Sequence, residues 1–141
     1  MEEKKVRIAI GSDQKTDASF LVLDKIFRYL KKLASTDIVF AFGQKQYSLV
    51  QKIAESFNVE FGWVPPNDPR KLPNLHKDLK EKKVDLVCLA GSGISVKDLA
   101  LCGAKVIEFI DLNVPGVEDE IIEAIEKGIH ELTGHENEII N

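Results

Sequence analysis

At 141 residues, with 44% hydrophobic and 30% charged side chains, the chain has the size and composition of one globular domain with its own core. A net charge of −4 gives no reason to expect nucleic acid as a partner, because a phosphate backbone requires a clustered basic surface. No apolar stretch is long enough to span a bilayer, and the charged N-terminus lacks a signal peptide's apolar core, so the expected location is the cytoplasm with no membrane partner.

The elements alternate along the chain. Val6–Ile10 is a nearly uninterrupted apolar strand, broken only by Arg7 near its start. Phe20, Leu23, Ile26, Phe27, Leu30 and Leu33 then recur at helical spacing, with Asp17 and Ser19 as candidate caps. Ile38–Phe42 forms a second strand ending at Gly43. Tyr47, Val50, Ile53, Ala54 and Phe57 define a second helix, which Asn58 closes.

Val59, Phe61 and Trp63 alternate with Glu60 and Gly62, the pattern of a half-exposed strand near a sheet edge. Trp63 is expected to anchor the core or an interface. The stretch with Pro65, Pro66, Pro69 and Pro73 reads as a loop, giving way to a short helix around Leu72, Leu75 and Leu79. Val84–Leu89 is a fourth buried strand running into Gly91-Ser92-Gly93. Ser95 and Asp98 form a capping box that opens a brief helix ending at Gly103. Lys105–Ile110 is a fifth strand. Ile121, Ile122, Ile125, Ile129 and Leu132 give a final amphipathic helix, and the residues after Gly134 form a polar tail.

Five strands alternating with five helices predict a single α/β domain over residues 1–141, a three-layer α/β/α sandwich around a five-stranded parallel sheet of Rossmann-like type. Ligands on such sheets sit at the carboxyl ends of the strands, where the strand order reverses. Both common orders, 2-1-3-4-5 and 3-2-1-4-5, put the loop after the first strand at that reversal. In the second order its neighbour is the turn Gly91-Ser92-Gly93.

The first rim loop, from Gly11, Ser12 and Asp13 through Lys15 to Asp17, offers hydroxyls, a carboxylate and an ammonium ahead of a helix N-terminus. That set suits a phosphate or carboxylate, and it equally suits a capped turn. The turn at Gly91, Ser92, Gly93 and Ser95 lets backbone N–H groups approach a ligand closely, or simply packs strand against helix. Ser92 lacks the glycine two positions earlier that a nucleophile elbow needs, since Ala90 stands there. In the proline-rich loop Asp68 is a candidate base and Arg70 a candidate anion holder; Gly43 adds a lesser polar turn. There is no GxGxxG and no GxxxxGK[ST], so no nucleotide cofactor is expected. His76, His130 and His135 match no metal spacing. Cys88 and Cys102, without a CxxC, read as reduced, buried thiols.

The stretch Ile8-Ala9-Ile10-Gly11-Ser12-Asp13, with a lysine shortly after, resembles the opening of methylglyoxal synthase. There an apolar strand ends in His-Asp before a lysine. In the same order, Gly43–Gln46 stands where that family has its phosphate loop, and Pro65–Arg70 where it carries a catalytic aspartate. Asp85–Leu89 resembles its fourth strand, and Leu99–Cys102 the helix before its fifth. The resemblance implies a methylglyoxal-synthase-like fold. It departs on the chemistry: Ser12 replaces the histidine, the phosphate-loop threonines are missing, and Gly91-Ser92-Gly93 replaces Asp-Pro. The opening also looks like ribose-5-phosphate isomerase B, without that family's cysteine loop.

Three readings follow. The first is a domain that binds a small anionic metabolite at the rim without catalysis. The second is a lyase or isomerase of sugar or triose phosphates, with Asp13 or Asp68 as base. The third is a homo-oligomeric interaction subunit that associates through Phe61, Trp63 and the final helix.

Overall fold

The computed structural model describes residues 5–13, 16–46, 48–66, 68–99 and 102–133. Strands β1 (Val6–Gly11), β2 (Thr36–Gly43), β3 (Phe61–Trp63), β4 (Leu86–Ala90) and β5 (Lys105–Phe109) pair in parallel, in the order β3-β2-β1-β4-β5. The second of the two expected orders is therefore the one formed, and the chain reverses direction across the sheet between β1 and β4. Helices α1 (Asp17–Lys31), α2 (Leu49–Ser56), α3 (Lys71–Glu81) and α4 (Val117–Thr133) flank the sheet. The brief helix expected between the fourth and fifth strands is a single 3-10 turn over Lys97–Leu99.

The continuous apolar runs of β1 and β4 arise because both sheet faces are buried there. Ile8, Ile10, Leu86 and Cys88 face one cluster with α1, α2 and α4. Ala9, Val87 and Leu89 face a second cluster with α3 and the 3-10 turn. Strand β2 changes allegiance partway. The register runs Ile8↔Ile38, then Ala9↔Phe40, so Val39 is an extra residue. Beyond this bulge Phe40 and Phe42 join the α3 side, while Ala41 takes the α1 side.

Several local features differ from the sequence expectation. The N-cap of α1 is Thr16, not Asp17 or Ser19: its extended backbone lets Oγ1 accept the Ser19 N–H at 3.1 Å. Ser19 instead turns inward and donates its hydroxyl to the Thr16 carbonyl. Ser48 caps α2, which begins at Leu49; the expected start at Tyr47 lies outside the described residues. Pro73 lies inside the first turn of α3, where its missing N–H has no helical partner to lose.

Asn58 closes α2 as expected, with φ 58° and the Val59 N–H returning to the Ala54 carbonyl. Lys83 ends α3 in the same way. The capping box is formed: Ser95 N–H donates to Asp98 Oδ2 at 2.9 Å, and Asp98 N–H to Ser95 Oγ at 3.4 Å. Phe20 and Leu132, assigned by spacing to apolar stripes, are partly exposed at the rims of α1 and α4. No helix among the described residues is long and apolar enough to cross a membrane.

Candidate functional site

The carboxyl ends of β2, β1 and β4 are sewn together by one side chain. Asp13, just past β1, accepts the Gln44 N–H on Oδ1 and the Gly93 N–H on Oδ2, each at 2.6 Å. Ser92 Oγ lies 3.5 Å from Oδ2 and accepts the Ile94 N–H at 3.0 Å. The backbone repeats the stitching, with Ser12 N–H to the Phe42 carbonyl and Asp13 N–H to the Gly91 carbonyl. Gly91 N–H in turn reaches the Phe109 carbonyl at the end of β5.

Gly11, Ser12, Asp13, Gly43, Gly91, Ser92 and Gly93 thus come together as the strand count implied. Gly11 and Gly43 are required by packing. A Cβ on Gly43 would lie 2.7 Å from the Ser12 carbonyl oxygen, and one on Gly93 would meet the Gln44 side chain. Gly91 has φ +67°, the left-handed turn that redirects the chain out of β4. The backbone N–H groups of Gln44 and Gly93 are not open to an outside anion, because the protein's own carboxylate holds them.

Ser12 is the exception within this seam. It is 0% exposed, and its hydroxyl has no hydrogen-bond partner among the described residues. A buried polar group left unmatched is uncommon in native proteins and asks for an explanation. It stands one residue before Asp13 and four before the cap of α1, whose first residues Thr16, Asp17 and Ala18 are exposed. Thr16 also donates its hydroxyl to Asn113 Oδ1 at 2.5 Å, joining the start of α1 to the loop after β5. The sequence offered no signal for Asn113 as a rim residue. Lys15 lies outside the described residues.

The remaining candidates stand apart from the seam. Arg70 and Asp68 follow β3, at the sheet edge. Arg70 donates its backbone N–H (2.8 Å) and Nε (3.3 Å) to Asp68 Oδ1. Those bonds hold the Asp68 carboxyl below the usual carboxylate range and tie it into the turn. Ser95 is occupied by its cap. His76 Nε2 donates to the Asp98 carbonyl at 2.8 Å, tying α3 to the 3-10 turn. Cys88 is fully buried in β4, and desolvation pushes its thiol up to about 12, leaving it protonated at neutral pH. Trp63 is not a core residue: it is 51% exposed, with its indole N–H donating to the Gln44 carbonyl at 3.2 Å.

No protein-family model matches the chain, and no curated protein sequence matches it. Solved structures do. A phosphoribosylglycinamide formyltransferase from Anaplasma phagocytophilum is similar over 74% of this chain and 49% of its own, at 24% identity and TM-score 0.57. The corresponding enzyme from Brucella melitensis matches over 86% and 67%, at 18% identity and TM-score 0.58. A formyltetrahydrofolate deformylase from Burkholderia mallei matches over 74% and 37%, at 15% identity and TM-score 0.56. The chain thus spans about half the length of several of the solved chains it matches. These structures are formyltransferases and a deformylase, not methylglyoxal synthases. The expected likeness is corrected to a coarser one: the chain has a Rossmann-like α/β fold.

Proposed function

We propose that the chain binds a small anionic metabolite, bearing a phosphate or carboxylate, in the space between the N-terminus of α1 and the β1–β4 seam, without transforming it. The observation that carries this reading is the Ser12 hydroxyl, buried at the rim with no partner among the described residues. An incoming anion would accept from it, and the unpaired N–H groups at the start of α1 favour the same charge. Lys15 would add a cation close to the same loop. The strand reversal between β1 and β4 is where open α/β sheets take ligands. Several similar structures are enzymes whose names specify a phosphoribosyl compound, which makes phosphate monoesters the first ligands to try.

The non-catalytic part of the reading rests on the two candidate bases. Both Asp13 oxygens already accept short bonds, and Asp68 is held ionised by Arg70. A lyase or isomerase using either residue as base finds no support in that arrangement. The same proposal places the chain in the cytoplasm as one domain, in keeping with its two free cysteines.

Ser12→Ala separates ligand binding from folding. In the ligand-free protein it removes an unsatisfied buried hydroxyl, so stability should stay level or rise by up to ~1 kcal/mol. Thermal melts with inorganic phosphate, ribose 5-phosphate, dihydroxyacetone phosphate and citrate are the readout. The wild type should be stabilised by about 2.7 kcal/mol when a ligand is present at a hundred times its Kd, and Ser12→Ala should lose most of that gain. If no member of the panel shifts the melt, or if the variant shifts equally, the reading is wrong.

A further inference from the structure

A cavity of about 260 Å³ lies between the end of β3 and one face of α3, with β2 between it and the β1–β4 seam. Lys71, Asn74, Leu75 and Asp78 line it at i, i+3, i+4 and i+7, so they share one face of that helix. Leu75 and Val64 are buried and give the cavity an apolar floor. Trp63 supplies an aromatic wall, held in place by its indole N–H on the Gln44 carbonyl. Sites for drug-sized ligands enclose ~300–1,000 Å³, so this one suits a smaller metabolite.

Three charged side chains line the cavity, and they are not equivalent. Asp68 is answered by Arg70. Lys71 donates one N–H to the Pro66 carbonyl at 3.0 Å; that acceptor is neutral, so the ammonium keeps its charge and two further donors. The half-buried Asp78 side chain has no ion pair or hydrogen bond among the described residues, and neither has the Asn74 amide. Lys77 and Lys82, which flank Asp78, pair with Glu81 and Glu60 and do not line the cavity. The walls therefore offer one available cation and one available anion. They stand seven residues apart, about 10 Å along the helix axis, with Asn74 between them.

We propose that this cavity binds a free α-amino acid with an apolar side chain. Lys71 and the Asn74 amide hold the carboxylate, Asp78 accepts from the ammonium, and the side chain lies on Trp63 above Leu75. A ligand of one charge sign fits less well, because it meets a like charge at one end of the cavity. A residue within a peptide carries neither terminal charge and leaves both Lys71 and Asp78 unmatched.

Trp63 is the sole tryptophan, so its fluorescence reports on the cavity directly. The probes are L-leucine and L-phenylalanine, compared with N-acetyl-L-phenylalanine, which lacks the ammonium, and L-phenylalaninamide, which lacks the carboxylate. At millimolar concentration the full-length protein should show a saturable change with at least one of the two amino acids. Each blocked form should bind about tenfold more weakly than L-phenylalanine. Asp78→Asn should weaken L-phenylalanine and its amide about threefold to tenfold and leave the N-acetyl form unchanged. Lys71→Met should do the converse, weakening L-phenylalanine and the N-acetyl form while sparing the amide. Circular dichroism melts establish that both variants fold. No saturable change with either amino acid, equal binding of L-phenylalanine and its blocked forms, or variants that weaken every probe alike would overturn the proposal.

Discussion

Replacing Asp13 with alanine is expected to destabilise the fold by about 2–4 kcal/mol, because it strips two charge-assisted hydrogen bonds and leaves two backbone donors unmatched. Each bond to a charged acceptor is worth roughly 1.5–3 kcal/mol, but Gly93 is exposed enough for water to replace part of its loss. The melting temperature should fall by roughly 10 °C. Asp13→Asn keeps an acceptor for one of the two donors and should sit about midway. Amide hydrogen exchange gives the specific signature. The Gln44 and Gly93 amides should lose protection in the alanine variant while the centre of β1 keeps its own. A variant as stable as wild type, with both amides still protected, would show that the seam does not depend on this carboxylate.

Gly11→Ala should be nearly as damaging, for a different reason. An added Cβ would lie 2.4 Å from Phe42 Cε2 and 2.5 Å from Cζ, inside any real contact. Phe42 is fully buried in the α3-side cluster and stacks on Phe40, so its ring has little room to retreat. Overpacking of this kind costs about 1–3 kcal/mol, and the upper end is expected here. The clash has one named partner, which a double-mutant cycle exploits. Phe42→Leu destabilises by itself but opens space over Gly11, so the pair should be at least ~1 kcal/mol less destabilised than the sum of the singles. Additive losses in urea denaturation would place the strain elsewhere.

These two residues show what could and could not be read in advance. The strands β1 and β4 were legible because burial on both faces leaves an uninterrupted apolar run ending in a glycine turn. The edge position of β3 was legible from its alternation. The role of Asp13 was not: its partners lie 31 and 80 residues away, and nothing local distinguishes a base from a staple. The cap of α1 was misassigned because Thr16, Asp17 and Ser19 are all cap formers within one turn, and only backbone geometry selects Thr16. Pro73 read as a loop residue because proline ends helices; in a first turn it costs no hydrogen bond. Nor does any local pattern announce the Val39 bulge, which puts Phe40 and Phe42 on the face opposite Ile38.

That bulge has a consequence for motion. Among the described residues three helices cover one face of the sheet, whereas the other has the eleven residues of α3 and one 3-10 turn. The two phenylalanine rings lie over Gly11 and Gly62 and fill area that a further helix would otherwise occupy. A layer held by few elements opens more cheaply than one held by many. Native-state exchange should therefore release the amides of α3 well before those of α1 and α4, in a step that leaves the sheet intact. The α3 layer would then be the first part of the molecule to yield, while the sheet and the α1 face stay folded.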